Sequence, residues 1–136
     1  MRKAGLWRNA DFVHLWGAAT VSTFGSLITR TAIPFTAILL LDASAADLGA
    51  LRIAEMLPAF IVGLIAGAWV DRLRRRPVMI VADLGRAAVL ITIPIAAVAE
   101  WLAMGQLLVV LALVSVLGVF FDVAYQSHLP SVVAND

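Results

Sequence analysis

Arg30, Arg52, Glu55, Asp83, Arg86 and Asp122 are charged side chains set inside long apolar stretches of the sequence. Arginine stays protonated and offers its donors in a rigid fork, while a carboxylate accepts hydrogen bonds or takes up a proton. Near the centre of a bilayer each such charge costs on the order of 3 kcal/mol. Two arrangements make that cost tolerable. Either the charges pair as static links, or they line a wet path and bind or carry a charged species. A second constellation, Gly67-Ala68-Trp69-Val70-Asp71-Arg72-Leu73-Arg74-Arg75-Arg76-Pro77, masses arginines behind one acid. An acid at the C-terminal end of a helix opposes the macrodipole, so Asp71 requires a donor or a cation nearby.

Other chemistries have no bearers. His14 and His128 are the only histidines and have no acidic ligands beside them, so no metal site is expected. The absence of cysteine removes disulfides, thiolate ligands and thiol nucleophiles. No Gly-x-x-x-x-Gly-Lys loop is present to cradle a nucleotide. Ser22, Ser26 and Ser115 have no His/Asp system in the sequence around them. A net charge of +1 gives no electrostatic case for nucleic acid. The sequence therefore predicts neither an enzyme nor a bound cofactor.

The elements that must position these charges are membrane helices. The 136 residues are 62% hydrophobic and 14% charged, with a mean hydropathy of +0.99, against roughly 45–50% apolar and about 25% charged in soluble domains. A soluble globule of this length could not hide that much apolar surface. A span needs roughly 20 apolar helical residues, and four stretches qualify: about 12–41, 48–70, 78–99 and 106–126. Open strands would leave backbone groups unsatisfied in lipid, and runs such as Leu107 to Val119 lack the alternation of a barrel strand. The first run is far longer than the apolar core of a cleaved signal peptide, so it is expected to remain as a span.

Charge placement sets the orientation. Arg2, Lys3 and Arg8 precede the first span, and Arg72 to Arg76 lie between the second and third, while the other connections carry only acids. By the positive-inside rule both termini and the second connection are cytoplasmic. Trp7, Trp16, Trp69 and Trp101 fall near the expected interfaces, where such rings prefer to sit. The fold class is an all-α membrane protein of four transmembrane helices.

Depth arithmetic then suggests pairs. Arg30 lies about 16 Å below the outer end of the first span and Glu55 about 11 Å below that of the second. Arg52, three residues from Glu55, is a second candidate partner. Arg86 lies about 12 Å into the third span and Asp122 about 6 Å from the end of the fourth. Arg86 can therefore meet Asp83 on its own helix or Asp122 across to the next. Asp83, Arg86 and Asp122 read as a buried charge network of structural pairs. For Arg30 and Glu55 both readings stand: static glue, or charges of a transport path. Ala59, Gly63 and Gly67 form a small-residue face suited to helix packing, and Gly25, Pro34 and Pro58 are expected kink sites.

The run from Gly67 to Pro77 resembles the loop signature of the major facilitator superfamily, Gly-x-x-x-Asp-Arg-x-Gly-Arg-Arg, between its second and third helices. Gly67, Asp71, Arg72, Arg75 and Arg76 match, and Arg74 stands where that signature has glycine. Asn9 to Trp16 with Ser22 and Gly25, Pro58, Asp83 with Arg86, and Phe120-Phe121-Asp122 through Leu129-Pro130 are similar to the exporter branch that includes macrolide-efflux and enterobactin-export proteins. The resemblance covers essentially the whole chain. It implies a twelve-helix transporter whose two six-helix lobes rock around a central site, residues 1–136 being part of the N-terminal lobe and the missing helices its partners. It also implies that Gly67, Asp71, Arg72, Arg75 and Arg76 form a cytoplasmic gate. Drug–proton antiporters of the superfamily often carry an arginine in the fourth helix. Here that helix holds Asp122 and no Arg or Lys. The function so implied is secondary active efflux of a small molecule, drug-like or siderophore, by a multi-pass protein of the bacterial plasma membrane. The alternatives are a complete four-helix subunit with an assembly or regulatory role, and a small transporter that dimerises to build its path.

Overall fold

In the computed structural model the chain is described for residues 9–134, with side chains described through residue 126. It forms four helices, α1 (Ala10–Leu41), α2 (Ala45–Val70), α3 (Arg75–Val98) and α4 (Met104–Ala134), and the described residues contain no strand. All four are long and apolar enough to cross a membrane. Trp7 and the basic residues Arg2, Lys3 and Arg8 lie outside the described residues.

The helix ends reach past the apolar runs, because capping rather than hydropathy decides where a helix starts. The Asn9 side chain accepts from the Asp11 N–H at 3.1 Å and opens α1. At α2 the Ser44 hydroxyl and the Asp47 carboxylate satisfy each other's backbone N–H groups in a capping box. The polar segment Ala45-Ala46-Asp47 is thereby helical. α3 begins at Arg75 without a side-chain cap, so Arg75 and Arg76 belong to its first turn and not to the connection. Pro77 also lies in that first turn, where its missing N–H has no helical partner to lose. The fourth helix continues through Ala134, well past the last apolar run. Two turns take left-handed residues, Asp42 (φ 50°) closing α1 and Glu100 (φ 60°) after α3.

α4 is the central post, with α2 and α3 packed along it and α1 touching α4 and α2 more lightly. The apolar packing divides into two clusters. Ile33, Ala37, Leu51, Leu107 and Leu111 knit the end where α1 meets α2 and α3 meets α4. Val70, Met79, Ala82, Phe121 and Ala124 knit the opposite end. Polar side chains occupy the level between them.

The hydroxyls of α1 show how it stays compatible with lipid. Thr20, Thr23, Ser26, Thr29, Thr31 and Thr36 each donate to the carbonyl four residues earlier, which satisfies them within the helix. Pro34 and Pro58 are carried inside continuous helices, as is Pro94. The small-residue face of α2 is only partly used: a Cβ on Gly63 would meet Val119 of α4 at 3.9 Å, whereas one on Gly67 meets nothing within 4 Å. The closest approach falls instead between α3 and α4, where a Cβ on Gly85 would stand 3.1 Å from Leu117 Cδ1.

That approach makes Gly85 sensitive to volume. Gly85→Val should lower stability by about 1–3 kcal/mol through overpacking against Leu117. Gly17→Ala, with nothing within 4 Å of its added carbon, should be neutral or slightly stabilising. Thermal unfolding in detergent, followed by circular dichroism, separates the two; equal melting temperatures would refute the close approach.

Candidate functional site

α1, α2 and α4, with Arg86 of α3, line an open cleft of about 510 Å³ at the level between the two apolar clusters. Its charged lining is Arg30, Arg52, Glu55, Arg86 and Asp122, and Ser22, Ser26 and Ser115 add hydroxyls. Apolar residues, among them Met56, Phe60 and Val114, complete the walls. Polar and apolar groups thus share the lining, and a concave site with convergent polar groups is where a small molecule is expected to bind.

Glu55 is shared. Arg30 Nε lies 3.1 Å from its Oε1, and Arg52 Nη1 donates to its Oε2 at 2.9 Å. The two candidate partners thus hold the same carboxylate, one from across the helix pair and one from three residues away on α2. The arginine side chains are 64% and 66% exposed, against 15% for Glu55, so the cations cover the acid and face the cleft.

Arg86 is placed differently. It is the one charged residue buried among the described residues, 8% exposed. Its Nη1 donates to Ser22 Oγ at 2.9 Å and its Nη2 to Ser26 Oγ. Ser22 Oγ in turn donates to Asp83 Oδ1 at 3.1 Å, and Asp83 stands 3.7 Å from Arg86 Nη1 as a longer ion pair. Between the two partners open in the sequence, the ion pair therefore falls to Asp83. Asp122 is on the cleft wall, within electrostatic range of Arg86 and Arg30 but in no ion pair among the described residues. The serines are the element that sequence reasoning missed. Ser22 and Ser26 do have an aspartate beside them, and their task is to hold an arginine; no histidine takes part in this network among the described residues. Their spacing of four on one face of α1, opposite Arg86, is the signal that could have found them.

At the far end of α2, Gly67 lies in the last turn and Asp71 caps the helix, its N–H bonded to the Gly67 carbonyl at 3.3 Å. The expected cation for Asp71 is not in place: it enters no ion pair among the described residues and is exposed, so solvent can serve it. Arg72 and Arg76 are exposed as well, and Arg75 is half-buried. Arg74 adopts φ −68° and ψ 121°. Any residue takes that extended backbone, so arginine replaces the signature's glycine here without strain. The structure therefore separates two groups of candidates. Arg30, Glu55, Arg86 and Asp122 share the cleft, Asp83 stands behind Arg86, and the Gly67–Arg76 group sits at the end of the bundle.

Residues 4–136 match a major-facilitator family described as transmembrane secretion effector. The chain belongs to this family. No curated protein and no solved structure matches the sequence. A transmembrane secretion effector of the major facilitator superfamily is a membrane transporter and not an enzyme, and its four apolar helices make this chain a multi-pass membrane protein in contact with lipid.

The Arg86 network also decides how α1 is held in this secretion effector. Arg86→Leu removes the donor that Ser22 and Ser26 accept from and the cation beside Asp83, and should cost about 1–3 kcal/mol. Because the chain has no cysteine, spin labels at Val21→Cys and Leu84→Cys report the α1–α3 distance directly. The distribution should be narrow in the parent and broad with Arg86→Leu; a narrow, unshifted distribution in both would refute the tether.

Proposed function

We propose that the chain forms one wall of the substrate path of a small-molecule exporter that works by alternating access, together with further helices of the same transporter. The observation that carries this reading is the mid-level cleft, where three arginines, a glutamate and an aspartate line a wide opening between apolar end clusters. Charges that only glued helices together would be enclosed by them, whereas Arg30, Arg52 and Asp122 are exposed. The resemblance to macrolide-efflux and enterobactin-export proteins supports a drug-like or siderophore cargo, an ion gradient as the driving force and the bacterial plasma membrane as the location.

In this reading both termini face the cytoplasm, and Gly67, Asp71, Arg72, Arg75 and Arg76 form the inner gate. Asp71, Arg72 and Arg76 stand exposed around the α2–α3 connection, available to groups that approach when the inner side closes. A gate must make and break contacts in each cycle, so its charges cannot be locked within one lobe. The exposed carboxylate of Asp71 at the end of α2 suits that requirement. Arg30 and Glu55 are the path charges, with Asp122 on the same open wall, and Asp83 and Arg86 are the supporting pair.

Asp71→Asn in the full-length protein should reduce efflux by about tenfold, equivalent to a 1.4 kcal/mol change, with membrane abundance close to that of the parent. Efflux from cells loaded with a fluorescent drug-like compound measures it. Undiminished efflux by the variant would remove the gate role.

A further inference from the structure

Glu55 with its two arginines carries one more positive charge than an internal pair needs. A cation at membrane depth is costly, and a single arginine would neutralise Glu55. Arg52 has a cheaper option: extended toward the nearby start of α2, its guanidinium would approach the membrane surface. It instead bonds Glu55, further along the helix, at 2.9 Å. Each arginine spends one nitrogen on the shared carboxylate, Arg30 its Nε and Arg52 its Nη1. The rest of each fork remains available, and both side chains are about two-thirds exposed.

No carboxylate other than Glu55 pairs with Arg30 or Arg52 among the described residues. Arg86 is matched by Asp83 and occupied by Ser22 and Ser26. Asp122 follows Phe121 of the second apolar cluster, and Glu55 shares a cavity with Leu111 of the first. Asp122 lines the same cleft and acts on Arg30 and Arg86 at a distance, but it pairs with neither among the described residues. Within the cleft two guanidiniums gather on Glu55, and Asp122 stands on the wall without a guanidinium paired to it. Arg30, Glu55 and Arg52 also border a second, smaller cavity of about 180 Å³, walled by Pro34, Leu48, Leu51 and Leu111. Free guanidinium donors therefore stand where two spaces meet, one of them almost entirely apolar.

We infer that Arg30 and Arg52 form an anion subsite, and that the cargo is an amphipathic organic acid whose carboxylate-like group docks on the two guanidiniums beside Glu55. Guanidinium forks suit the geometry of a carboxylate and bind it with charge-assisted hydrogen bonds. The apolar part of the ligand lies against the aliphatic walls, and repulsion from Asp122 keeps the carboxylate on the two guanidiniums. Glu55 acts as the competitor that holds the two arginines in register when no ligand is present. The inference rests on the cleft being the cargo path, and it names the chemical class of that cargo.

Three fluorescent probes of similar size and different charge test it: dansylglycine (anion), dansylglycinamide (neutral) and dansylcadaverine (cation). Binding is measured by anisotropy on the full-length protein in phosphatidylcholine nanodiscs, which carry no net lipid charge. Dansylglycine should bind at least about tenfold more tightly than its amide, the scale of one charge-assisted hydrogen bond. Arg52→Gln should erase that difference while leaving the amide's affinity alone, and since the Arg30–Glu55 pair is retained, folding should survive. Glu55→Gln should tighten dansylglycine, because it removes the competing carboxylate. Equal binding of all three probes, preference for the cation, no binding of any probe, or an anion preference that survives Arg52→Gln would each overturn the subsite. This outcome is separate from the gate test: probe binding needs no turnover, and efflux unaffected by Asp71→Asn leaves the anion preference standing.

Discussion

A guanidinium buried at membrane depth dictates what stands around it, and Arg86 is that group in this fold. Its charge cannot be shed, and its donors must be met by protein. Two serines of α1 and an aspartate of its own helix meet them. Because Ser22 and Ser26 lie on α1, satisfying Arg86 also fixes that helix against α3, although α1 has little apolar packing of its own. The apolar clusters can then sit at the two ends, and the level between them is left for polar groups. Of the buried side-chain nitrogens and oxygens among the described residues, only Arg86 Nε has no hydrogen-bond partner, a cost that the rest of the network must offset.

The same constraint separates holding from displaying. Charges that hold the fold are covered, as Arg86 is; charges that meet cargo or water are open, as Arg30, Arg52 and Asp122 are. Glu55 mediates between the two, sheltered beneath two exposed cations. A transporter needs both kinds. A fully satisfied interior would be stable and would bind nothing, and an unpaired one would not insert. The proposed division of labour follows from that balance, with Ser22, Ser26, Asp83 and Arg86 as the tether between α1 and α3 and the Arg30–Glu55–Arg52 group as the contact surface.

Much of the fold was legible because lipid imposes one rule on length and polarity. Four apolar runs of sufficient length become four helices, and antiparallel spans of known depth bring Arg30 level with Glu55. Helix ends were less legible: Ala45-Ala46-Asp47 and Arg75-Arg76 are polar, yet caps and first-turn geometry make them helical. Side-chain direction around a helix was least legible. Depth alone allowed Arg86 either Asp83 or Asp122, and only the rotation of α1 and α4 about their axes decides. Ser22 and Ser26 were lost for the same reason, since α1 carries many hydroxyls and most bond within their own helix. Gly85 went unnoticed because the small residues at regular spacing are on α2, while the tight contact is between α3 and α4.

The central claim is that the level between the apolar clusters is a wet, polar path and not a sealed layer of helix glue. Cysteine accessibility measures this directly; residues 1–136 carry no cysteine, and any elsewhere in the full-length protein is replaced first. Single substitutions Ala59→Cys and Ser115→Cys place a thiol on the cleft wall, and Leu64→Cys and Leu84→Cys place one on the exposed apolar surface. The reagent is a charged, water-soluble thiol label applied to the full-length protein in membranes. Rapid labelling of the two cleft positions, with the two apolar-surface positions protected by lipid, is the predicted result. Protection of all four positions would contradict the account, because it would mean that no water reaches the charges on which the path depends.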